Sequence, residues 1–208
     1  MAYCNDPGRL LCLVAGSAPS LEVRRTRRNQ TDCHNASFSP CLRLRIVRSK
    51  QEIQDRISEL AEDIRASAPN GELTIVGILD DAFVFLADLV RALDIELNCC
   101  FMKVTRHRHG GQSQVMFTSE FDPRGRDILL VGAVAATGVT LDYISEHLRT
   151  RGVKSLRTCV LVDKPGERRL EVKPDFAAFE IDEGLIFGYG LGIQNQFRQL
   201  PYLAVMDE

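Results

Sequence analysis

Residues 128–141, ILLVGAVAATGVTL, place an apolar run ahead of a Thr137-Gly138-Val139-Thr140 turn that opens an amphipathic segment. A strand feeding such a turn, with a helix behind it, is suited to hold a phosphate. The backbone N–H groups converge, the helix N-terminus carries partial positive charge, and the Thr137 and Thr140 hydroxyls add donors. Nucleotide chemistry at such a turn normally also needs carboxylates beside it, to hold sugar hydroxyls, carry magnesium or take a proton. The neighbouring positions are instead Gly132, Ala133, Ala135 and Ala136. The cradle is present and the acids are missing. On the plainer reading, the same turn is a helix N-cap.

The elements that must position this turn begin at residue 42. LRLRIV (42–47) reads as a short edge strand, and Ser49 with Glu52 forms a capping box. Ile53, Ile57, Leu60 and Ile64 then mark one face of a helix. Pro69-Asn70-Gly71 turns the chain into strand 73–79, followed by helix 82–93 and strand 97–104. Residues 105–127 read as a polar loop around RHRHGGQSQ with one short strand, VMFTS. Strand 127–134, helix 139–151 with Gly152 as its stop, and strand 156–162 complete the regular part. KPDFAAFEI and GLIFGYGLG read as two short strands around a small hood. Phe83, Phe85, Leu86, Leu89, Leu130, Val131 and Val134 are the expected core. Strands alternating with helices of this length predict an α/β fold: a parallel sheet flanked by helices, with ligands at the carboxyl ends of its strands. The Thr137–Thr140 turn lies at such an end, as does Leu79-Asp80-Asp81.

A chain of 208 residues suits one well-cored domain. A net charge of −2 gives no reason to invoke nucleic acid, and no apolar run approaches the ~20 residues of a spanning helix. None of the seven cysteines forms a C-x-x-C pair, which argues against a zinc or redox site. Cys99, Cys100 and Cys159 lie in apolar runs and are expected to be buried thiols in a reducing, cytoplasmic setting. Residues 1–41 hold the other four cysteines, a basic cluster from Arg24 to Arg28 and two N-x-[ST] sequons at Asn29 and Asn35. LLCLVAGSA within them is a weak match to a signal peptide, spoiled by Asp6; the expectation is a disordered extension before a single domain at 42–208.

The order VGILDDAFVFLADLVRAL, RGRDILLVGAVAATGVTL, LVDKPGERR, KPDFAAFEI, GYGLG and FRQLPY resembles the hypoxanthine-guanine phosphoribosyltransferases across residues 42–208. The resemblance implies a Rossmann-like core with a hood built from N- and C-terminal segments. It also implies transfer of ribose 5-phosphate from phosphoribosyl pyrophosphate (PRPP) to a purine, with Mg2+. Carried over, the 5′-phosphate loop is Ala136, Thr137, Gly138, Val139 and Thr140. The ribose-gripping acids become Gly132 and Ala133, and the general base becomes Ala136, so no catalytic residue is assigned. The pyrophosphate-side positions are Leu79, Asp80, Asp81 and Arg198, where the family has Leu-Lys-Gly in place of the first three. A magnesium-ligating aspartate falls at Gly192. Lys164, Leu185 and Ile186 occupy the purine side, Leu185 replacing a stacking aromatic, and Arg168 falls at a basic position near the base. The Ser-Tyr pair of the mobile catalytic loop falls at Arg106-His107.

Those losses weigh against catalysis. Magnesium on the leaving group is typically worth several kcal/mol, and a positioned base roughly 10²–10⁴-fold. A carboxylate ~4 Å from one phosphate charge costs about 4 kcal/mol at an effective dielectric of about 20. Arg106, His107, Arg108 and His109 are candidates to replace magnesium as counter-charge. Three functions remain open. The chain is a non-catalytic nucleotide- or phosphate-binding relative, with no cofactor expected; or an active purine-salvage enzyme with a rebuilt site and Mg2+; or a structural partner of an active paralogue. The resemblance implies a homo-oligomer, or a hetero-oligomer with such a paralogue; nucleic acid and membrane are not expected partners.

Overall fold

The structure, a computed structural model, describes residues 14–15, 21–22, 43–68, 72–79, 81–105, 114–118, 121–193 and 196–207. Two-residue strands β1 (Val14–Ala15) and β2 (Leu21–Glu22) pair antiparallel. The expected disordered extension otherwise falls outside the described residues, as do Asp80 and the Arg106–His109 cluster.

Strand β3 (Arg43–Arg48) enters helix α1 (Lys50–Ser67) through Ser49. The Ser49 hydroxyl accepts from the Glu52 N–H, and the Glu52 carboxylate accepts from the Ser49 N–H at 2.7 Å. The anticipated face Ile53, Ile57, Leu60 and Ile64 is buried. Strand β4 (Leu73–Ile78) follows, then helix α2 (Phe83–Leu93), strand β5 (Leu97–Thr105) and the short strand β6 (Gln114–Phe117). Strand β7 (Asp127–Ala135), helix α3 (Val139–Arg149) and strand β8 (Ser155–Asp163) come next. Strand β9 (Phe176–Glu180), strand β10 (Leu185–Phe187) and strand β11 (Leu203–Asp207) end the chain.

The main sheet runs β6-β5-β4-β7-β8-β9, parallel except for β6. Leu73 to Val76 are buried without alternation, as expected of a central parallel strand covered on both faces. Helices α1 and α2 pack Leu60, Ile64, Phe85 and Leu89 against Ile75, Leu129, Val131 and Leu161. Helix α3 packs Leu141, Ile144 and Leu148 on the opposite face, against Val76, Ile128, Leu130 and Val160. Burying each such side chain is worth ~1.5–3 kcal/mol. The hood is a separate antiparallel sheet, β10-β11-β3.

Four expectations are corrected. KPDFAAFEI does not form part of the hood: β9 pairs parallel with β8 and extends the main sheet, because its alternate residues pack against the α1 face. Phe83 is half exposed, since the buried stripe of α2 runs through Phe85, Leu86, Leu89 and Leu93 and Phe83 lies off it. Val134 is also exposed: β4 pairing stops at Val131, so Val134 lies where the sheet edge opens. Of the three cysteines, Cys159 is buried, Cys100 half-buried and Cys99 exposed. Burial pushes the Cys159 thiol well above its ordinary range.

Candidate functional site

Strand β7 delivers Ala136 and Thr137 to the start of α3, where Gly138 is the N-cap at φ +83. That left-handed conformation is one that glycine adopts without cost. No side chain caps the helix through Gly138; the nearest local bond is Val139 N–H to Thr137 Oγ1 at 3.4 Å. First-turn amides of an α-helix have no partner in the helix's own backbone ladder, and a helix start of this kind favours a bound anion. The turn is held from behind. The Thr137 carbonyl accepts from the N–H groups of Arg169 at 3.0 Å and Leu170 at 3.2 Å. A Cβ placed on Gly138 would stand 3.3 Å from the Leu170 carbonyl oxygen.

Strand β8 runs beside β7 and ends with Asp163 opposite Ala135. Asp163 is buried and pairs with Arg168 Nη2. The Arg168 Cδ lies 3.5 Å from the Cβ position of Gly138, which puts this arginine against the turn. Its Nη1 is buried and has no hydrogen-bond partner. A buried donor left unpaired costs about 1–3 kcal/mol, so this atom is a ready partner for an anionic oxygen.

Lys164 follows directly. Its N–H donates to the Ala135 carbonyl at 2.9 Å. Its ammonium is buried, pairs with Glu167, and donates to the Gly184 carbonyl at 2.9 Å. Gly184 immediately precedes Leu185 and Ile186, so the three expected purine-side residues come together here. Leu185 is 56% exposed, with Ile186 half-buried behind it.

The carboxyl end of β4 is built differently. The Leu79 N–H donates to the Met102 carbonyl at 2.9 Å. Asp81 lies two residues on and pairs with Arg198, whose guanidinium also donates to the Gly190 carbonyl at 2.7 Å. Gly190, at φ +95, brings its backbone against this turn: a Cβ there would stand 2.8 Å from the Asp81 carbonyl oxygen. The Tyr189 hydroxyl donates to Asp88 of α2, and burial together with that carboxylate raises the phenol's pKa far above its ordinary value. Tyr189, Gly190 and Arg198 are thus fastened to Asp81 and to α2.

The positions expected to have lost their acids are equally explicit. Ala133 is packed into the α1–α2 core, and a Cβ on Gly132 would touch Ile78 and Val160 at 3.5 and 3.8 Å. Among the described residues, no group of three or more His, Cys, Asp or Glu comes together to hold a metal ion. Among the described residues, the side chains at 132, 133, 136 and 192 carry no oxygen donor and Asp81 is engaged by Arg198, so these positions supply no ligand set for magnesium.

The phosphoribosyl transferase domain family matches residues 46–194. The hypoxanthine-guanine phosphoribosyltransferase of Bacillus subtilis is 31% identical over 166 residues, covering 78% of this chain and 92% of that protein. The Aquifex aeolicus hypoxanthine-guanine phosphoribosyltransferase is 33% identical over 171 residues, covering 80% and 96%. This chain belongs to the hypoxanthine-guanine phosphoribosyltransferase family. A hypoxanthine phosphoribosyltransferase structure from Staphylococcus aureus aligns with a TM-score of 0.71 at 28% identity, covering 78% of this chain and 92% of that one. No helix among the described residues is long and apolar enough to cross a membrane.

Sequence reasoning about this member of the family missed Asp163, Glu167 and Tyr189. Lys164 and Glu167 are three apart, a spacing that suggests a pair. Asp163–Arg168 and Tyr189–Asp88 depend on how the strand ends meet, and no local pattern announces them.

Proposed function

We propose that this member of the family binds a purine nucleoside monophosphate at the Thr137–Thr140 turn and does not perform phosphoribosyl transfer efficiently. In this reading, the first-turn amides of α3, the Thr137 hydroxyl and the spare Arg168 Nη1 receive the 5′-phosphate. Lys164 and the backbone around Ile186 face the base. The single observation that carries the reading is the buried, unpartnered Arg168 Nη1 beside a turn with no carboxylate. The first half supports anion binding. The second leaves the Thr137–Thr140 turn without a carboxylate of its own to take the purine proton. A positioned base alone is worth roughly 10²–10⁴-fold.

The testing experiment is calorimetric titration of GMP and IMP with and without magnesium, beside an assay for IMP or GMP formation from PRPP and free base. Magnesium-independent nucleotide binding without product is the expected result. Rapid product formation would overturn the reading in favour of an active salvage enzyme with a rebuilt site. Absence of heat with every nucleotide would leave the structural-partner role.

A further inference from the structure

The carboxyl end of β4 sits beside that of β7, with Gly77 opposite Val131. Adjacent strands lie ~4.8 Å apart, so Asp81 and the Thr137–Thr140 turn follow neighbouring strand ends on the same edge of the sheet. A second anionic group on a ligand held at the turn would extend toward this corner. Arg198 is the cation that lies against this corner, and it is engaged on both sides, by the Asp81 carboxylate and by the Gly190 carbonyl.

What allows that arrangement is the residue at 192. A Cβ on Gly192 would stand 2.9 Å from both Cγ and Nε of Arg198, and 3.1 Å from Cζ. Real Cβ atoms do not approach so closely, so the arginine lies across the bare backbone of Gly192 and through it reaches Asp81. Glycine at 192 and aspartate at 81 are therefore matched: one vacates the path and the other supplies the partner, 117 residues before Arg198 in sequence.

We propose that the Asp81–Arg198 pair, laid across Gly192, is an internal lock that closes the β4 end of the site and restricts it to ligands carrying a single phosphate. The proposal rests on the monophosphate reading above and narrows its ligand class. Asp81 acts here as a built-in anion: it satisfies the arginine that a second phosphate would need and repels that phosphate. The adjacent Asp80 in the sequence adds a further negative charge to the same segment.

The test compares GMP with inorganic pyrophosphate by calorimetry on the full chain, for wild type, Asp81→Ala, Asp81→Asn and the double variant Asp81→Ala/Arg198→Ala. The Asp81 side chain is 52% exposed, so these substitutions spare the core; circular dichroism verifies the fold of each. The expected result is saturable GMP binding and no saturable pyrophosphate binding in wild type. Removing the Asp81 charge raises the ratio of pyrophosphate to GMP affinity by about tenfold or more, and removing Arg198 as well abolishes the gain. Wild-type binding of pyrophosphate as tight as that of GMP would overturn the lock. So would an unchanged ratio in both folded Asp81 single variants. Failure of wild type to bind GMP would overturn the monophosphate reading and the lock with it, which separates the two failures.

Discussion

Asp163, the last residue of β8, holds Arg168 against Gly138, the residue that opens α3. The pair is mostly buried, so each charge depends on the other. Replacing Arg168 with alanine should weaken GMP binding by about tenfold or more, the worth of one or two charge-assisted hydrogen bonds. Either substitution also leaves the other charge buried without its partner, at a cost of about 3 kcal/mol in stability, so Asp163→Ala should lose stability by as much as Arg168→Ala while Arg168→Ala alone removes the contact to the ligand. Titration calorimetry and urea denaturation on both variants check the two outcomes. Equal effects of both variants on stability alone would dissociate Arg168 from the ligand.

Gly138 invites a backbone test. Alanine at φ +83 is strained by roughly 1–2 kcal/mol, and its Cβ would press on the Leu170 carbonyl. Gly138→Ala should lower the melting temperature by several degrees and weaken phosphate binding together. A melting curve superimposable on wild type would show that the turn relaxes freely.

His147, in the last turn of α3, yields a pH prediction. Its Nε2 is buried without a partner. Burial first, and then the neighbouring Arg151, hold the imidazole below its ordinary value of 6.5. Just below that pH, the unfolded chain binds more protons than the folded one. The contribution to stability is therefore complete above about 6.5 and is lost as the pH falls toward the lower folded value. Chemical denaturation between about pH 7 and pH 5 should show declining stability, with a shallower decline in His147→Gln. An unchanged slope in that variant would assign the decline to other groups.

Restoring acids at the turn should not by itself restore transfer. Ala136→Asp, at a half-buried position, is expected to fold. Ala133→Asp places a carboxylate in the α1–α2 core, where an unpaired charge is costly, and should lower the melting temperature markedly. A triple variant Gly132→Glu, Ala133→Asp and Ala136→Asp is expected to yield no IMP from PRPP and hypoxanthine, because Asp81 still engages Arg198 and Gly192 still lacks a carboxylate. Measurable IMP would show that the β7 positions alone were limiting.

Periodicity and capping made the core elements legible. The stripe Ile53, Ile57, Leu60, Ile64 and the Ser49–Glu52 box appear in the structure as read, because both are local geometry. Phe83 and Val134 were misjudged because hydrophobicity alone says nothing about which helix face meets the sheet or where a neighbouring strand stops. The placement of β9 depended on pairing with β8, a non-local choice. At the candidate site, residue types revealed which acids were missing. They did not reveal that Arg198 would settle across Gly192 onto Asp81, since that relationship exists only after residues 81 and 198 are brought together.

The double hook on the Thr137 carbonyl, from the amides of Arg169 and Leu170, has a kinetic meaning. A loop that must first be ordered surrenders part of its interaction energy to that ordering. Here the segment after β8 has fixed the turn before any ligand arrives. Capture of a small anion should therefore proceed without a slow conformational phase, at a rate governed by encounter and charge, and differences in affinity among ligands should appear in how long each one stays.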